Sequence, residues 1–173
     1  PNMEMKIDSV DPVNVPGEIL IKGANVFLGY FKNEEATKAV FTKDGWFRTG
    51  DMGVIDEDGC LFIKGRSKCM ILGPSGQNIY PEEVETVINS QPYVVDSLVV
   101  EDDGGLTALI YPDFAQGAKD GMNQDTFIKY IEDTLPELNK ELPNYAKLKK
   151  IEVMSEDFER TPKKSIKRYL YQR

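Results

Sequence analysis

One segment of the chain, Ile63–Glu85, limits what the chain can fold into more than any other. It reads IKGRSKCMILGPSGQNIYPEEVE and places two polar turns and the start of a helix directly after a predicted strand. The first turn carries Arg66 and Lys68, and the second, Gly73–Asn78, is rich in residues that tolerate a positive φ. Pro81 suits the first position of the helix. The glutamates that would complement the helix dipole are Glu82, Glu83 and Glu85.

The residues before this segment predict short strands and turns. Glu18–Lys22 predicts a strand with Ile19 and Ile21 on one face and Leu20 on the other, and a β-like composition continues over Ala24–Tyr30. A short helix is predicted at Glu34–Val40. Asp56–Gly59 predicts a tight turn, because its glycine can adopt a positive φ. The two strands that this turn would join into a hairpin are Met52–Ile55 and Cys60–Lys64.

After about Lys68 the pattern changes to mixed helices and strands, and we divide the chain there into residues 1–67 and 68–173. Apolar residues at helical spacing predict an amphipathic helix over Asn123–Leu142, in which Pro136 predicts a kink or a break. Asp102–Gly105 predicts a hairpin turn. The other predicted elements are a helix at Pro81–Ser90 and strands at Val94–Glu101, Leu106–Tyr111 and Leu148–Met154. Together these elements predict a small sheet covered by helices.

Charge and composition exclude several functional classes. The 173 residues carry a formal net charge of −8 and are 40% hydrophobic, which predicts a globular chain with little non-specific affinity for nucleic acid or anionic membranes. No apolar run is long enough for a transmembrane segment, and the amino terminus shows no signal-peptide pattern. Because the first residue is not Met, we expect a piece of a longer protein.

Metal binding is not expected from the residue types present. There is no histidine, and Cys60 and Cys69 do not form a CxxC pair. We therefore expect no metal site, a reduced cytoplasmic setting, and two cysteines that serve as small apolar strand residues.

Five motifs occur in a fixed order along the chain, although each polar turn taken alone is more often an ordinary solvated turn than a binding site. The motifs are GEILIKG, GYFKNEEAT, DGWFRTGD, GRSK and GQNIYPEEVE. As an ordered series they resemble the carboxyl-terminal part of the adenylate-forming enzymes, which include acyl-CoA synthetases, peptide-synthetase adenylation domains and luciferases. The resemblance runs from about Gly17 to Arg168. It implies an α+β fold in which a β-barrel-type remnant of the large domain, residues 1–67, precedes a mobile carboxyl-terminal domain, residues 68–173.

The resemblance implies a role for three residues around the first polar turn. Asp51 would accept hydrogen bonds from both ribose hydroxyls of a nucleotide, a task that suits a carboxylate. Arg66 would reach the ribose or a phosphate. Lys68 would be the hinge about which the small domain swings between two reaction steps, because a polar side chain at a domain boundary can be solvated in either state.

The second polar turn would bind CoA. In the family, the glycine that corresponds to Gly76 lines the tunnel for the pantetheine arm, because a side chain there would narrow the passage. Ser75 and Gln77 flank this glycine and would contact the arm, although an ordinary turn remains an alternative for these two residues.

The tail departs from the family motif, Thr-x-Ser/Thr-Gly-Lys-Ile-x-Arg. Aligned through Thr161, Ile166 and Arg168, the position of the catalytic lysine is Ser165, which cannot supply the positive charge that stabilises the transition state. Lys164, one residue earlier, is the first candidate to replace it, and the second is Lys167. A solvated basic patch is the alternative.

The function that the resemblance implies is that of an AMP-forming acyl-CoA synthetase, most like bacterial long-chain fatty acid–CoA ligases. The intact enzyme would use ATP, with Mg²⁺, to activate a carboxylate as its adenylate and would then transfer the acyl group to CoA. No phosphate loop or acyl pocket is recognisable, so we expect this chain alone to be inactive. Two alternatives remain: an adenylation domain that loads a carrier protein, and a non-catalytic binding relative, which Ser165 favours.

Overall fold

The computed structural model describes residues 3–173, which form two compact units. Unit 1 is Pro1–Met70, described from Met3 onwards, and unit 2 is Ile71–Arg173. Unit 1 consists of strands and one short helix, whereas unit 2 contains mixed helices and strands. The chain is therefore of mixed α and β composition.

Unit 1 is built on one four-stranded antiparallel sheet, in which the strands follow each other in sequence order. Its strands are β1 (Met3–Asp8), β2 (Gly17–Gly23), β3 (Phe47–Ile55) and β4 (Leu61–Arg66). Strand β1 was missed by the sequence analysis. Within residues 3–70 the sheet is open, with β1 and β4 at its edges, and does not close into a barrel.

The hairpin between β3 and β4 confirms the turn predicted from Asp56–Gly59. Gly59 has a φ of 79°, and its N–H donates to the Asp56 carbonyl at 3.0 Å. Cys60 donates its N–H to Oδ1 of Asp56 at 2.7 Å, so it caps the turn instead of entering β4. The prediction that Cys60 and Cys69 are strand residues was wrong, because Cys60 is exposed in this turn and Cys69 lies in a 3₁₀ turn.

The predicted β-like continuation over Ala24–Tyr30 was also wrong, because the chain turns after β2. The turn brings the Phe27 ring into contact with the rings of Tyr30, Phe41 and Phe47, at centroid distances of 5.1 to 5.6 Å. In this segment the chain is held by aromatic packing and not by the backbone hydrogen bonds of a strand. The helix predicted next is confirmed as α1 (Glu34–Val40), which Asn33 caps by accepting from the Ala36 N–H.

Unit 2 contains a short hairpin and a three-stranded sheet. The hairpin consists of β5 (Ile71–Leu72) and β6 (Asn78–Ile79). In the sheet, β7 (Val94–Asp102) and β8 (Gly105–Pro112) form the predicted antiparallel pair, and β9 (Leu148–Val153) lies parallel to β8. Asp103 and Gly104 both have positive φ, at 48° and 69°, which matches the tight hairpin predicted there.

Four helices complete unit 2. The long helix predicted over Asn123–Leu142 is broken in two, and Pro136 occupies the first turn of the second helix, as Pro residues often do. The sequence analysis missed the short helix α3. The helices are α2 (Pro81–Asn89), α3 (Phe114–Lys119), α4 (Gln124–Glu132) and α5 (Leu135–Glu141).

Both faces of the three-stranded sheet are covered. Val99, Ala108 and Ile110 pack into a core with helix residues, among them Ile88 and Phe127. On the other face, the sheet is covered by residues of the tail, which is the segment 154–173 that follows β9. This second cluster contains Leu98, Val100, Leu109 and Phe158, with Ile166 and Tyr171 packed against it. The tail is thus part of the fold of unit 2, which the sequence analysis did not predict.

Candidate functional site

Asp51 and Arg66 face each other at the end of the β3–β4 ladder that lies farthest from the turn. Arg66 Nη1 donates to Oδ1 of Asp51 at 2.8 Å and to the Thr49 carbonyl at 3.1 Å. The Asp51 side chain is 37% exposed, and its Oδ2 accepts no hydrogen bond within residues 3–173. The pair therefore presents a free carboxylate oxygen next to a guanidinium, which can accept from a hydroxyl and attract an anion, respectively.

The backbone around Asp51 is held by β2. Thr49 Oγ1 donates to a backbone carbonyl of β2 at 2.8 Å and accepts the Asp51 N–H at 3.0 Å. Glu18 accepts the Gly50 N–H at 3.1 Å. Gly50 has a φ of 75°, a conformation that favours glycine. These contacts fix the backbone that carries the Asp51 carboxylate.

Lys68 lies in a single 3₁₀ turn, Ser67–Cys69, near the end of unit 1. Its side chain is exposed. The residues on either side of the turn, Arg66 and Met70, are extended, with ψ of 134° and 132°. One short turn between extended residues is a segment in which a few backbone torsions can redirect the chain.

The loop with Gly76 closes the β5–β6 hairpin. The Gly73 N–H donates to the Gln77 carbonyl at 2.8 Å, and the Gly76 N–H donates to the Gly73 carbonyl at 2.9 Å. Gly76 has a φ of 77°, and no atom lies within 4 Å of the position that a Cβ would occupy. Within unit 2 the backbone conformation therefore explains this glycine, since the space around it is open.

Ser75 and Gln77 form part of the same exposed loop. Ser75 Oγ donates to Oε1 of Gln77 at 3.1 Å, so the two flanking side chains bind each other across the glycine. A cleft of about 300 Å³ runs beside the loop within unit 2. Its lining includes Leu72, Pro74, Ser75, Leu106, Tyr145 and Lys147. The cleft combines apolar side chains with the ammonium group of Lys147 and the carboxylate of Glu101.

A tight turn at the tail carries Lys164 and Ser165. The Thr161 N–H donates to the Ser165 carbonyl and the Lys164 N–H donates to the Thr161 carbonyl, both at 2.8 Å. Lys164 has a φ of 64°, an uncommon conformation for a residue with a side chain. In the register aligned through Ile166 and Arg168, Lys164 stands where the family has glycine. The conformation of Lys164 is one that favours glycine, and the register expected from the sequence would place Ser165 at the lysine position.

The lysines of this turn differ in their partners. Lys163 and Lys164 are exposed, and neither ammonium group has an ion-pair partner in the described part of the chain. Lys167 Nζ lies 3.0 Å from Oε2 of Glu159, and this hydrogen bond raises the pKa of Lys167. The amine of Lys167 is thus engaged within the tail, whereas the amine of Lys164 points to solvent.

Glu85 has a different role from the one that the sequence predicted. It is buried, accepts the Val99 N–H at 2.7 Å and forms an ion pair with Arg168 of the tail. Burial raises the pKa of Glu85, although Arg168 opposes the shift. The signal available in the sequence was its place on the apolar stripe of α2, next to Val84 and one turn before Ile88. Glu85 and Arg168 tie the tail to α2.

The described residues contain neither a metal-binding cluster nor a helix that could span a membrane. Between Met3 and Arg173, His, Cys, Asp and Glu side chains form no group of three or more suited to a metal ion. In the same residues, none of the helices has the length and apolar character needed to cross a membrane.

Comparison with known proteins identifies the family. Residues 69–173 match the model of the AMP-binding enzyme C-terminal domain. The chain is 36% identical over 146 residues to a 2-methylpropanoate–CoA ligase of Humulus lupulus, covering 78% of this chain and 26% of that protein. It is 33% identical over 172 residues to a long-chain-fatty-acid–CoA ligase of Mycobacterium tuberculosis, covering 88% of this chain and 28% of that protein.

A solved structure supports the same assignment. O-succinylbenzoate coenzyme A synthetase of Bacillus subtilis, in complex with ATP and a magnesium ion, is 31% identical and superposes with a TM-score of 0.78 over 97% of this chain and 33% of that one. The chain belongs to the adenylate-forming, AMP-binding enzyme family and carries its C-terminal domain. It spans about a quarter of the length of the two ligases.

Proposed function

We propose that this chain is the carboxyl-terminal part of an AMP-forming acyl-CoA synthetase. The observation that carries the proposal is that unit 2 presents two separate exposed loops, the Gly76 loop and the tail turn. A two-step reaction accounts for both loops if the tail turn serves adenylate formation and the Gly76 loop serves thioester formation. Residues 1–67 would be the end of a β-barrel subdomain of the large domain, and residues 68–173 the mobile domain with Lys68 as its hinge.

Asp51 and Arg66 would bind the nucleotide in both steps. The free Oδ2 of Asp51 can accept from a ribose hydroxyl, and release of Oδ1 by Arg66 would allow it to accept from the second. The Arg66 guanidinium would then be free to bind a phosphate oxygen. Mg²⁺ would be bound with the ATP phosphates by the remainder of the enzyme.

The Gly76 loop would bind the pantetheine arm of CoA. Its tip is exposed and has open space around Gly76, and its backbone is fixed by two hydrogen bonds. Ser75 and Gln77 would contact the arm by exchanging their mutual hydrogen bond for bonds to its amides. A fixed, glycine-tipped loop suits an extended ligand that needs close approach to the backbone.

Lys164 would supply the cation of the adenylation step. Ser165 stands at the lysine position and carries no charge, and Lys167 is held by Glu159. Lys164 lies next to Ser165 and its ammonium group is exposed without a partner within the described residues. A lysine there can reach the carboxylate and the α-phosphate only if the turn presents its side chain towards them.

For the substrate we propose a long-chain fatty acid, and for the acceptor CoA, in the cytoplasm. The long-chain substrate is supported by the motif GQNIYPEEVE, by the carboxyl-terminal sequence IKRYLY, and by the similarity to the Mycobacterium tuberculosis ligase. A carrier protein is the alternative acceptor.

The test measures two half-reactions in the intact enzyme that carries this chain, as wild type, Lys164→Ala and the matched control Lys163→Ala. The first is fatty-acid-dependent exchange of pyrophosphate into ATP, and the second is thioester formation from premade acyl-adenylate and CoA. Lys164→Ala should lower exchange by about 100-fold or more, as loss of a transition-state cation does, while thioester formation persists. Lys163→Ala should change neither by more than about 2-fold.

A non-catalytic binding relative is the second candidate, and Ser165 is the observation that favours it. Ser165→Lys restores the family residue and distinguishes a synthetase from a non-catalytic binding relative. In a synthetase the variant should exchange pyrophosphate at least as fast as wild type. If wild type lacks both half-reactions and Ser165→Lys gains exchange, the natural protein is the binding relative. If a carrier protein replaces CoA as the only acceptor, the chain belongs to a carrier-loading enzyme.

A further inference from the structure

Arg160 lies at the base of the tail turn and binds the turn directly. Its Nη1 donates to the Lys164 carbonyl at 3.3 Å. Its Nη2 donates to Oδ2 of Asp96 at 2.7 Å and to Oδ1 of Asp157 at 2.9 Å. One guanidinium therefore joins three acceptors: a carbonyl inside the turn, a carboxylate of β7 and a carboxylate of the tail.

Asp96 is a firm anchor for this contact. It belongs to β7, and its Oδ1 accepts the N–H of Ser97, a residue of the same strand. The Arg160 and Asp96 side chains are 31% and 22% exposed, so solvent screens their pairing only in part. The turn is thus attached to the sheet of unit 2 through Arg160.

The contact holds the peptide group between Lys164 and Ser165. The Lys164 carbonyl belongs to the peptide between Lys164 and Ser165, and Lys164 holds an uncommon φ of 64°. A backbone held at these two residues limits the directions in which their side chains can leave the turn. An arginine suits the task because its planar fork can serve several acceptors, which a lysine cannot do in one plane.

We propose that Arg160, anchored by Asp96, is a positioning residue that orients the Lys164–Ser165 peptide for the adenylate-forming half-reaction. The proposal rests on the proposed function, in which a side chain of this turn approaches the reacting carboxylate and phosphate. Arg160 itself touches neither. Its effect belongs to one half-reaction, since the thioester step uses the Gly76 loop.

The experiment compares Arg160→Gln, Arg160→Lys and Asp96→Asn in the intact enzyme with Arg173→Gln as a matched control. Arg173 pairs with Asp102 and Glu152 in the same unit and makes no hydrogen bond to the turn in the described structure. We expect Arg160→Gln and Asp96→Asn to lower kcat of pyrophosphate exchange by roughly 10- to 100-fold, the cost of a misplaced reacting group. Thioester formation from premade acyl-adenylate should stay within about 2-fold of wild type in every variant, as should exchange in the control.

Two further measurements distinguish a positioning role of Arg160 from a role in folding. Arg160→Lys should recover thermal stability better than it recovers exchange, and the double variant Arg160→Gln/Asp96→Asn should lose no more exchange than Arg160→Gln alone, because both act through one contact. The positioning role is overturned if Arg160→Gln exchanges pyrophosphate normally, or if both half-reactions fall together with the Tm. If wild type has neither half-reaction, the proposed function fails and the positioning role falls with it.

Discussion

The two units of the molecule bury their apolar side chains to different extents. Among the residues described in unit 1, the buried hydrophobic side chains are those of Ile7, Ile19 and Leu20. Unit 2 has a continuous core of buried side chains between its sheet and helices and a second cluster under its tail. Unit 1 also leaves Leu28 and Phe31 exposed, at 100% and 89%.

This difference indicates that unit 2 has enough buried apolar surface to be stable by itself. Burial of apolar area is the main favourable term in folding, and unit 2 has buried surface on both faces of its sheet. The exposed apolar residues Leu28 and Phe31 of unit 1 would be covered if other protein packed against them. This agrees with the proposed function, in which unit 1 is the edge of a larger domain and unit 2 is a domain that moves as one body.

The largest effect should come from truncating the core of unit 2. Phe127 is 2% exposed and its ring contacts the rings of Tyr93 and Phe114. Phe127→Ala should lower the free energy of unfolding by about 3–5 kcal/mol, through lost burial and a cavity. Phe62→Ala, at a 51% exposed residue of unit 1, is the control and should cost less than about 0.5 kcal/mol.

Chemical denaturation followed by two signals measures this contrast. Far-UV circular dichroism reports the helices, which except for α1 lie in unit 2, and fluorescence of Trp46, the one tryptophan in the sequence, reports unit 1. A dichroism midpoint in Phe127→Ala that equals the wild-type midpoint would show that unit 2 does not depend on its core.

The next effect compares a buried with a surface ion pair. In unit 2, Arg168 pairs with Glu85, whose side chains are 23% and 10% exposed. In unit 1, Arg48 Nη1 lies 2.6 Å from Oε2 of Glu18, and the two side chains are 44% and 18% exposed. Arg168→Met should cost about 2–3 kcal/mol because it leaves the Glu85 carboxylate buried without its cation.

Arg48→Met is the matched variant and should cost no more than about 1 kcal/mol, as exposed pairs do. Adding Glu85→Gln to Arg168→Met should recover part of the loss, since it removes the buried charge. If Arg168→Met is as stable as Arg48→Met, the tail is not held by this pair.

Local signals explain what the sequence could predict of the fold. The Asp56–Gly59 and Asp102–Gly105 turns depend on neighbouring residues alone, and both were confirmed. Helix α3 was missed because it is short and contains Gly117, which disfavours a helix. The structure explains this glycine, since a Cβ there would lie 2.8 Å from the Phe127 ring, which belongs to another helix.

The candidate site was harder to predict than the fold, because its contacts join distant residues. Asp51 and Arg66 were each selected, but their contact depends on the register of β3 and β4, which shifts between Met52 and Gly53. Arg160 pairs with a residue 64 positions away and Arg168 with one 83 positions away. No local pattern encodes such pairs. The roles assigned to the candidate residues all remain predictions: Asp51, Arg66, Lys68, Ser75, Gly76, Gln77 and Lys164.

A smaller effect should appear when unit 2 is acidified. The hydrogen bond from Arg173, together with that from Lys150, lowers the pKa of Glu152 from 4.5 to about 2. Because the pKa is lower in the folded state, the pair stabilises unit 2 above pH 4.5, and this stability is lost as the pH falls from 4.5 through 2. Arg173 is 43% exposed, so solvent screening limits the contribution to about 1–2 kcal/mol.

Glu152→Gln should remove this contribution at pH 7 and flatten the loss of stability between pH 4.5 and 2. The measurement is the dichroism midpoint in urea at several pH values, with the Trp46 signal recorded for unit 1. A variant that loses stability as steeply as wild type in this window would show that other carboxylates account for the acid sensitivity.

Two glycines in equivalent turns should give the smallest difference in stability between the two units, and they give the sharpest comparison of the units in function. Gly59 in unit 1 and Gly76 in unit 2 have φ of 79° and 77°, and neither has an atom within 4 Å of a Cβ position. Alanine at either residue should therefore cost the same, about 1–2 kcal/mol, because an L-residue disfavours this conformation. Asparagine tolerates the conformation and should cost less than about 1 kcal/mol at both.

The activities of the asparagine variants should nevertheless differ. If the Gly76 loop lines a passage for pantetheine, Gly76→Asn obstructs it without straining the backbone, so thioester formation in the intact enzyme should fall by at least about 10-fold. Pyrophosphate exchange should persist in Gly76→Asn, and both half-reactions should persist in Gly59→Asn. Equal activity in the two variants would assign Gly76 to backbone conformation alone, since the two residues share the same φ and the same open space and differ only in the loop that they close.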